Sequence, residues 1–316
     1  MSIVERAIRK LQQVHESGGA ARPARVTLPR QDGAALDLEP EPPAAGTIGE
    51  PITPARSIHV DVALMRRQRL LPPPEQEREL AAQYRQIKRP LISRGIGRGA
   101  ERVPRGNAIM LTSALPGEGK TFTAVNLALS MALEQELRVL LVDADVARPR
   151  LSHELGIDQD AGLIDALRED ATDVESLVIG TDIPTLTLLP AGSVTETATE
   201  LLAGPRMAEI VRQLCQRDPN RIVLFDSPPI LPTTEARVLA QAVGQVVVVV
   251  RASKTPREAV LEALHLIGER TEVSLVLTQA ERSGAGSYYY GHYTYGKYGV
   301  EQGVNAGADA ANGGVT

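Results

Sequence analysis

Short apolar runs without polar interruption are the feature that most limits the folds open to this sequence. The runs IVLF (222–225) and VVVVV (246–250) lack polar–apolar alternation, so we expect strands that are buried on both faces. These runs alternate with helical patterns, which predicts a doubly wound α/β domain with a mostly parallel sheet. The expected strands are 108–113, 138–143, 186–190, 221–226, 245–251 and 273–278. The expected helices between them are 120–136, 205–217, 234–242 and 256–269.

The two ends of the chain differ in composition from this α/β region. Residues 1–15 carry an apolar stripe at helical spacing, which predicts an amphipathic helix that either folds back or docks on a partner or an anionic membrane surface. Residues 16–74 are rich in proline, glycine, alanine and charge, which predicts a disordered linker. The α/β domain is therefore assigned to 75–282, and 283–316 to a flexible, tyrosine-rich tail.

A basic segment opens the assigned domain. A helix is expected over 75–88, and it should end before Pro90 because a proline disfavours helical geometry in the residue that precedes it. Arginine and lysine dominate residues 85–105. We expect these side chains to lie in a solvated loop or, alternatively, at a subunit contact.

Charge and composition exclude several classes of protein. The formal net charge is −5 and the pI is about 5.7, which argues against a nucleic-acid-binding protein. The single cysteine, Cys215, cannot form an internal disulfide, and its apolar surroundings predict a core position in a protein of a reducing compartment. No apolar run reaches the roughly 18 residues of a membrane span, so we expect a cytoplasmic protein.

The segment SALPGEGKTFTAVNLALSMA (113–132) carries the clearest chemical signal. An expected strand leads into a glycine-rich turn and then into a helix, which is the order of a phosphate-binding loop. Gly117 and Gly119 allow backbone N–H groups to surround phosphate oxygens. Lys120 is expected to reach the β- and γ-phosphates, and the Thr121 hydroxyl to bind Mg²⁺. The expected cofactors are ATP and Mg²⁺, and the expected binding residues are Pro116, Gly117, Glu118, Gly119, Lys120, Thr121 and Phe122.

Aspartates stand where two of the expected strands end. Asp143 and Asp145 belong to VLLVDADVARP, and Asp226 ends RIVLFD. The carboxyl ends of parallel strands face the ligand crevice of an open sheet. We therefore expect all three carboxylates near the phosphates, with Asp226 in the position of a Walker B carboxylate.

Six of the seven tyrosines lie in SYYYGHYTYGKY (287–298). Glycine, serine and histidine surround them, and there is almost no aliphatic residue to pack against. The composition predicts an exposed, flexible segment that presents several hydroxyl groups.

Taken together, these motifs resemble the bacterial tyrosine autokinases (BY-kinases) that control capsule and exopolysaccharide production. The resemblance rests on PGEGKT, on DAD followed by Arg148 and Pro149, on DSPP beginning at Asp226, and on the tyrosine-rich tail. The segment YRQIKRPLI (84–92) and the N-terminal extension resemble the subgroup found with exosortase-linked exopolysaccharide loci. The resemblance covers about residues 75–298 and implies a P-loop NTPase fold of the deviant Walker type that ParA and MinD share.

The resemblance also implies roles and partners. Asp143 is the implied base for the attacking tyrosine, and Asp145 and Asp226 are implied to lie near the metal with Thr121. Lys120 completes the catalytic set. The implied phosphoacceptors are Tyr288, Tyr289, Tyr290, Tyr293, Tyr295 and Tyr298.

A ring-like homo-oligomer is implied as well, in which one subunit phosphorylates the tail of another. An activating, membrane-embedded regulator of polysaccharide chain length is the implied partner. It would hold the protein peripherally at the inner membrane. Each phosphate adds roughly −1.5 to −2 charges, so phosphorylation of the tail is expected to loosen the assembly.

Two alternatives remain at the level of sequence. The first is a partitioning ATPase related to ParA or MinD, but that group carries a second lysine in Lys-Gly-Gly-x-Gly-Lys where this chain has Leu115 followed by Pro116. Separately, the phosphate loop departs from its own pattern at one position, because Ala114 occupies the place of the first glycine of G-x-x-x-x-G-K-T. The second alternative is a nucleotide-dependent scaffold whose tail is only an adhesive segment.

Overall fold

A computed structural model describes residues 54, 56–97, 102–169, 172–193, 195–269 and 271–280. The chain divides into a unit that ends at Gln279 and a second unit from Ala280 to Thr316, of which only Ala280 is described. The expected helix over 1–15 and all six tail tyrosines lie outside the described residues.

An eight-stranded sheet forms the centre of the first unit. Its strands are β1 (Ser57–Ile58), β2 (Ala108–Ser113), β3 (Arg138–Asp143), β4 (Ile179–Thr181), β5 (Leu186–Leu189), β6 (Arg221–Asp226), β7 (Gln245–Arg251) and β8 (Glu272–Thr278). The order across the sheet is β1-β4-β5-β3-β6-β2-β7-β8. Neighbouring strands are parallel except for the β4–β5 pair. The predicted doubly wound, mostly parallel α/β fold is confirmed.

Helices cover both faces of this sheet. They are α1 (Val62–Arg67), α2 (Glu77–Ile96), α3 (Lys120–Ala132), α4 (Arg150–Glu154), α5 (Leu163–Arg168), α6 (Ala198–Ala203), α7 (Pro205–Gln216), α8 (Thr234–Ala242) and α9 (Arg257–Ile267). Successive residues of β2 point to opposite faces. Met110 packs in the layer of α5 to α9, whereas Ile109 and Leu111 pack in the layer of α1 to α4. In the part of the chain that the structure describes, no helix combines the length and apolar character needed to cross a membrane.

The prediction of a disordered linker over 16–74 is wrong for its last part. β1 pairs with β4 at the edge of the sheet, and α1 packs Met65 into the core. Val60 and Leu70 are also buried, at 5% and 1% exposure. The proline-rich composition hid this short segment, because burial against the domain supplies the free energy that offsets its ordering entropy.

The prediction that a helix ends before Pro90 is also wrong. α2 continues through Pro90 to Ile96. Pro90 is exposed, so the carbonyl group that loses its helical N–H partner stays close to water. The next residue, Leu91, is 1% exposed, and its carbonyl oxygen accepts a hydrogen bond from Gln245 Nε2 at 2.9 Å. These tertiary contacts hold the helix together beyond the proline.

The basic residues up to 96 therefore belong to a helix and not to a solvated loop. Lys88 is 4% exposed. Its ammonium group donates to the carbonyl oxygen of Ser130 at 2.6 Å and forms an ion pair with Glu134 Oε1 at 2.6 Å. Because Ser130 lies in α3, this contact joins the basic helix to the helix that follows the glycine-rich loop.

Candidate active site

The glycine-rich loop has the backbone shape that a phosphate site requires. It joins β2 to α3, and its Gly117 and Gly119 adopt left-handed conformations with φ of 79° and 96°. Only glycine adopts such angles at little cost. Ala114 is not among the residues with positive φ, so alanine fits where the sequence pattern has a glycine. The loop N–H groups and the N-terminus of α3 thus lie where phosphate binding needs them.

Two of the predicted carboxylates stand side by side at the ends of adjacent strands. Asp143 on β3 and Asp226 on β6 are direct register partners, and Asp226 also pairs with Leu111 of β2. Because β2 runs into the glycine-rich loop, Asp226 lies between that loop and Asp143. The structure therefore brings the predicted strand-end carboxylates and the loop to one edge of the sheet.

Asp143 is fully buried and held from one side by Ser152. Its Oδ2 accepts hydrogen bonds from Ser152 N at 2.8 Å and Ser152 Oγ at 2.7 Å. Its Oδ1 has a longer contact of 3.3 Å with Asp145 N. Burial and, second, the charge of Asp226 raise the pKa of Asp143 to about 8. The serine was not found from the sequence, because a lone serine after a proline-containing turn carries no recognisable pattern.

Asp226 has an oxygen that nothing in the described chain satisfies. The residue is 1% exposed, and its Oδ1 has no hydrogen-bond partner among the described residues. Burial raises the pKa of Asp226 to about 7, against the opposing effects of a hydrogen bond from the Thr121 hydroxyl and the charge of Lys120. A buried carboxylate oxygen without a partner, beside a threonine hydroxyl, is a donor set that suits Mg²⁺.

Asp145 is the most accessible of the three carboxylates. It is half-buried, whereas Asp143 has no exposed surface. Desolvation raises the pKa of Asp145, and the positive charges of Lys120 and Arg148 oppose that rise. Asp145 thus faces the same lysine as Asp226 does.

The predicted nucleotide-binding residues do not all face the same way. Pro116 and Gly117 are exposed, Lys120 is 9% exposed, and Gly119, Thr121 and Phe122 are half-buried. Glu118 is 3% exposed, and its side chain turns into the protein. The glycines, the lysine and the orphan carboxylate oxygen fit a magnesium–nucleotide complex. The side chain of Glu118 takes a different position, which is analysed below.

Tyr84 is the one tyrosine within the described residues. It is 6% exposed in α2, and a hydrogen bond joins its side chain to Thr123 of α3. Burial raises its pKa to about 12. Its position makes it a packing residue beside the helix that follows the glycine-rich loop.

Comparison with known proteins gives a family match for this chain and relatives that are named tyrosine-protein kinases. A family model for the AAA domain matches residues 106–275. The putative tyrosine-protein kinase EpsB of Ralstonia nicotianae is 35% identical over 210 residues, which cover 65% of this chain and 27% of EpsB. The tyrosine-protein kinase YwqD of Bacillus subtilis is 31% identical over 197 residues, which cover 61% of this chain and 78% of YwqD.

A solved kinase domain has a similar fold to this chain. The VpsO kinase domain superposes with a TM-score of 0.53 at 29% sequence identity, covering 66% of this chain and 98% of that domain. The chain spans most of YwqD but only about a quarter of the length of EpsB. The residues that the family model matches, 106–275, include the glycine-rich loop and the strand-end aspartates.

Proposed function

Because this chain carries an AAA domain and belongs to the bacterial tyrosine-kinase family, we propose that it transfers the γ-phosphoryl group of ATP to tyrosine. One observation carries the proposal in this structure. The buried Asp226 Oδ1 has no partner among the described residues, although it stands beside Thr121 at the mouth of a glycine-rich loop. Such an oxygen is expected where a bound cation completes the site.

The residues of the site have separate roles in this proposal. The loop N–H groups and Lys120 hold the β- and γ-phosphates, and Thr121 and Asp226 hold Mg²⁺, with Asp145 near it. When bound, Mg²⁺ neutralises charge on the phosphate oxygens. The tyrosine oxygen forms the new bond to phosphorus as the bond to the leaving ADP oxygen breaks.

Asp143 is our proposed acceptor of the tyrosine proton. A general base is most effective when its pKa lies near the operating pH, and the pKa of Asp143, about 8, lies close to neutral pH. Its Oδ1 is the acceptor atom, because Oδ2 already accepts two hydrogen bonds from Ser152. Since Asp143 has no exposed surface, the tyrosine ring has to displace the residues that cover it. Asp145 is the competing acceptor.

The experiment is phosphopeptide mapping of the purified protein after incubation with Mg²⁺ and ATP. We expect phosphate on tyrosines within Tyr288–Tyr298 in the wild type and none in Lys120→Met. Asp143→Asn should bind ADP as the wild type does but lose transfer. If Asp145→Asn loses transfer while Asp143→Asn keeps it, Asp145 accepts the proton.

We further propose that the tails are phosphorylated between subunits of a homo-oligomer. Six acceptor tyrosines in a glycine-rich segment support this, because such a segment is able to enter a neighbouring site. A protein truncated after Ser283 should phosphorylate an excess of Lys120→Met protein. Sedimentation should show the unphosphorylated form as the larger species. If the truncated protein leaves the added tail unmodified and the intact protein also stays unmodified, a scaffold function replaces kinase activity.

Regulation of exopolysaccharide synthesis or export completes the proposed function. It follows from the motif resemblance to BY-kinases, which also supports activation by a membrane-embedded chain-length regulator and peripheral attachment to the inner membrane. Loss of polymer from cells that carry Lys120→Met, with normal protein levels, is the expected result. Unchanged polymer in those cells would contradict this part of the proposal alone.

A further inference from the structure

Glu118 lies inside the glycine-rich loop, yet its side chain contacts protein and not the phosphate side. The residue is 3% exposed. Its Oε2 accepts a hydrogen bond from Leu115 N at 2.8 Å, which closes the loop on itself. Its Oε1 accepts a hydrogen bond from the Thr255 hydroxyl, 137 residues further along the chain. One carboxylate thus joins the start of the loop to the segment that follows β7.

A third residue completes the hydrogen bonding of the Thr255 hydroxyl. Arg251 N donates to Thr255 Oγ1 at 3.0 Å. The hydroxyl therefore accepts from Arg251 N through a lone pair and donates its proton to the Glu118 carboxylate, which only accepts. A carboxylate has two oxygens that accept, one from Leu115 N and one from the Thr255 hydroxyl. A glutamine amide has only one accepting oxygen, so it can replace one of these two contacts.

The end of β8 forms a hydrogen bond with the backbone of the same loop residue, Glu118. The hydroxyl of Thr278, the last residue of β8, donates to the carbonyl oxygen of Glu118 at 2.8 Å. A Cβ built on Gly119 would lie 3.8 Å from the Thr278 side chain, so loop and strand are in direct contact. The side chain of Glu118 therefore binds the segment after β7, and its backbone carbonyl group binds the end of β8.

Backbone strain is concentrated at these two strand ends. Ser253 and Gln279 have φ of 59° and 52°, and they are two of the four non-glycine residues with positive φ in the described chain. Such conformations persist only where the surroundings hold them, and they gather at functional sites. Ser253 lies two residues before Thr255, and Gln279 directly follows Thr278. The contacts of Glu118 thus coincide with the strained positions.

We propose that Glu118 is a positioning residue that braces the phosphate loop against Thr255 and Thr278. The loop is then already shaped for a nucleoside diphosphate or triphosphate before it binds. The inference deepens the proposed function and rests on its nucleotide site. Gly117 and Gly119 on either side of Glu118 have wide conformational freedom when unrestrained. Without the brace the loop has to be ordered at the moment of binding, and that cost appears as weaker affinity.

The test measures binding of Mg²⁺–ADP by calorimetry in the full-length protein. Glu118→Ala should weaken affinity at least about tenfold, which is the lower end of what one lost hydrogen bond to a charged group contributes. Glu118→Gln should recover most of it, because the amide oxygen still accepts from Leu115 N. Thr255→Val and Thr278→Val should each weaken affinity about threefold to tenfold, and Thr278→Ser should restore it.

Thr271→Val is the matched control. Thr271 directly precedes β8 at the end far from the loop, and its hydroxyl donates to the carbonyl oxygen of Ala240 at 3.2 Å. The substitution makes the same chemical change as Thr278→Val but at the opposite end of β8, so ADP affinity should stay unchanged. In kinase assays, the brace variants should raise the KM for ATP while keeping kcat at saturating ATP.

The outcomes separate this inference from the function on which it rests. If the wild type binds Mg²⁺–ADP and the Glu118, Thr255 and Thr278 variants bind it equally well, the brace is refuted while the nucleotide site stands. A loss in Thr271→Val as large as that in Thr278→Val would refute it as well. If the wild type binds no ADP, the proposed function fails and the brace with it. If Glu118→Ala does not fold, the threonine variants decide.

Discussion

Replacing Asp143 with asparagine should make the nucleotide-free protein more stable at pH 8. Burial and the charge of Asp226 raise the pKa of Asp143 from an ordinary 3.8 to about 8. A carboxyl with a raised pKa in the folded state binds its proton more tightly there than in the unfolded chain. Its contribution to stability is therefore complete below about pH 4 and is lost as the pH rises towards 8.

The size of the effect follows from the two pKa values. At about 1.36 kcal/mol for each pH unit between them, the stability that protonated Asp143 contributes below pH 4 has fallen by about 5 kcal/mol at pH 8. Asparagine does not ionise and so avoids that loss. It accepts fewer hydrogen bonds than the carboxyl, however, which lowers the stability of the variant by about 1 to 3 kcal/mol. We expect a net gain of about 3 kcal/mol at pH 8 and almost none at pH 5. At pH 5 the wild type has lost only about 2 kcal/mol of the contribution, because only the unfolded chain is ionised there.

Urea unfolding in EDTA, without nucleotide, at each pH from 5 to 9 measures this difference. The wild type should lose more stability than Asp143→Asn as the pH rises, because the variant keeps only the losses that follow from the raised pKa values of Asp226 and Asp145. The control is Asp61→Asn: Asp61 is exposed, caps α1 and has a lowered pKa through its hydrogen bond from Leu64 N. Asparagine keeps that cap, so the control should follow the wild type. Parallel curves for wild type and Asp143→Asn would refute the reasoning.

Three further substitutions or reagents test the fold around the site. Leu70→Ala should lower the free energy of unfolding by about 2–5 kcal/mol in urea, because Leu70 is buried at 1% exposure in the segment before α2; a change near zero would show that this segment adds nothing to the core. Arg221→Met should cost about 3–5 kcal/mol in the same assay, since it leaves Glu175 buried and unpaired, whereas Arg138→Met, which breaks an exposed pair, should cost about 1 kcal/mol or less. Cys215 is buried with its pKa raised to about 12 by burial, so iodoacetamide at pH 8 should modify it only after unfolding, as mass spectrometry would show.

The central strands could be predicted from sequence because burial on both faces leaves an unmistakable pattern. The bounds of β2, β3, β6 and β7 are those expected from their uninterrupted apolar runs. β4 has three residues and β1 has two, so neither is long enough to show a period. Composition also misled where prolines gather before α2, since the contacts that order this segment come from residues far along the chain. His59, for example, pairs with Asp182, which no local pattern indicates.

The candidate site divides in the same way between what is local and what is distant. The loop glycines, Lys120 and the strand-end aspartates could be placed together because parallel strands bring their carboxyl ends to one edge. Side-chain direction could not be inferred. The Glu118 carboxylate turns inward because the hydroxyl of Thr255, 137 residues away, donates to it. The backbone carbonyl group of Glu118 accepts a hydrogen bond from Thr278, 160 residues away. Threonines are too common for either to be picked out in one sequence. A motif therefore identifies which residues surround the phosphates, and the fold decides which of them touch the nucleotide and which shape the loop that does.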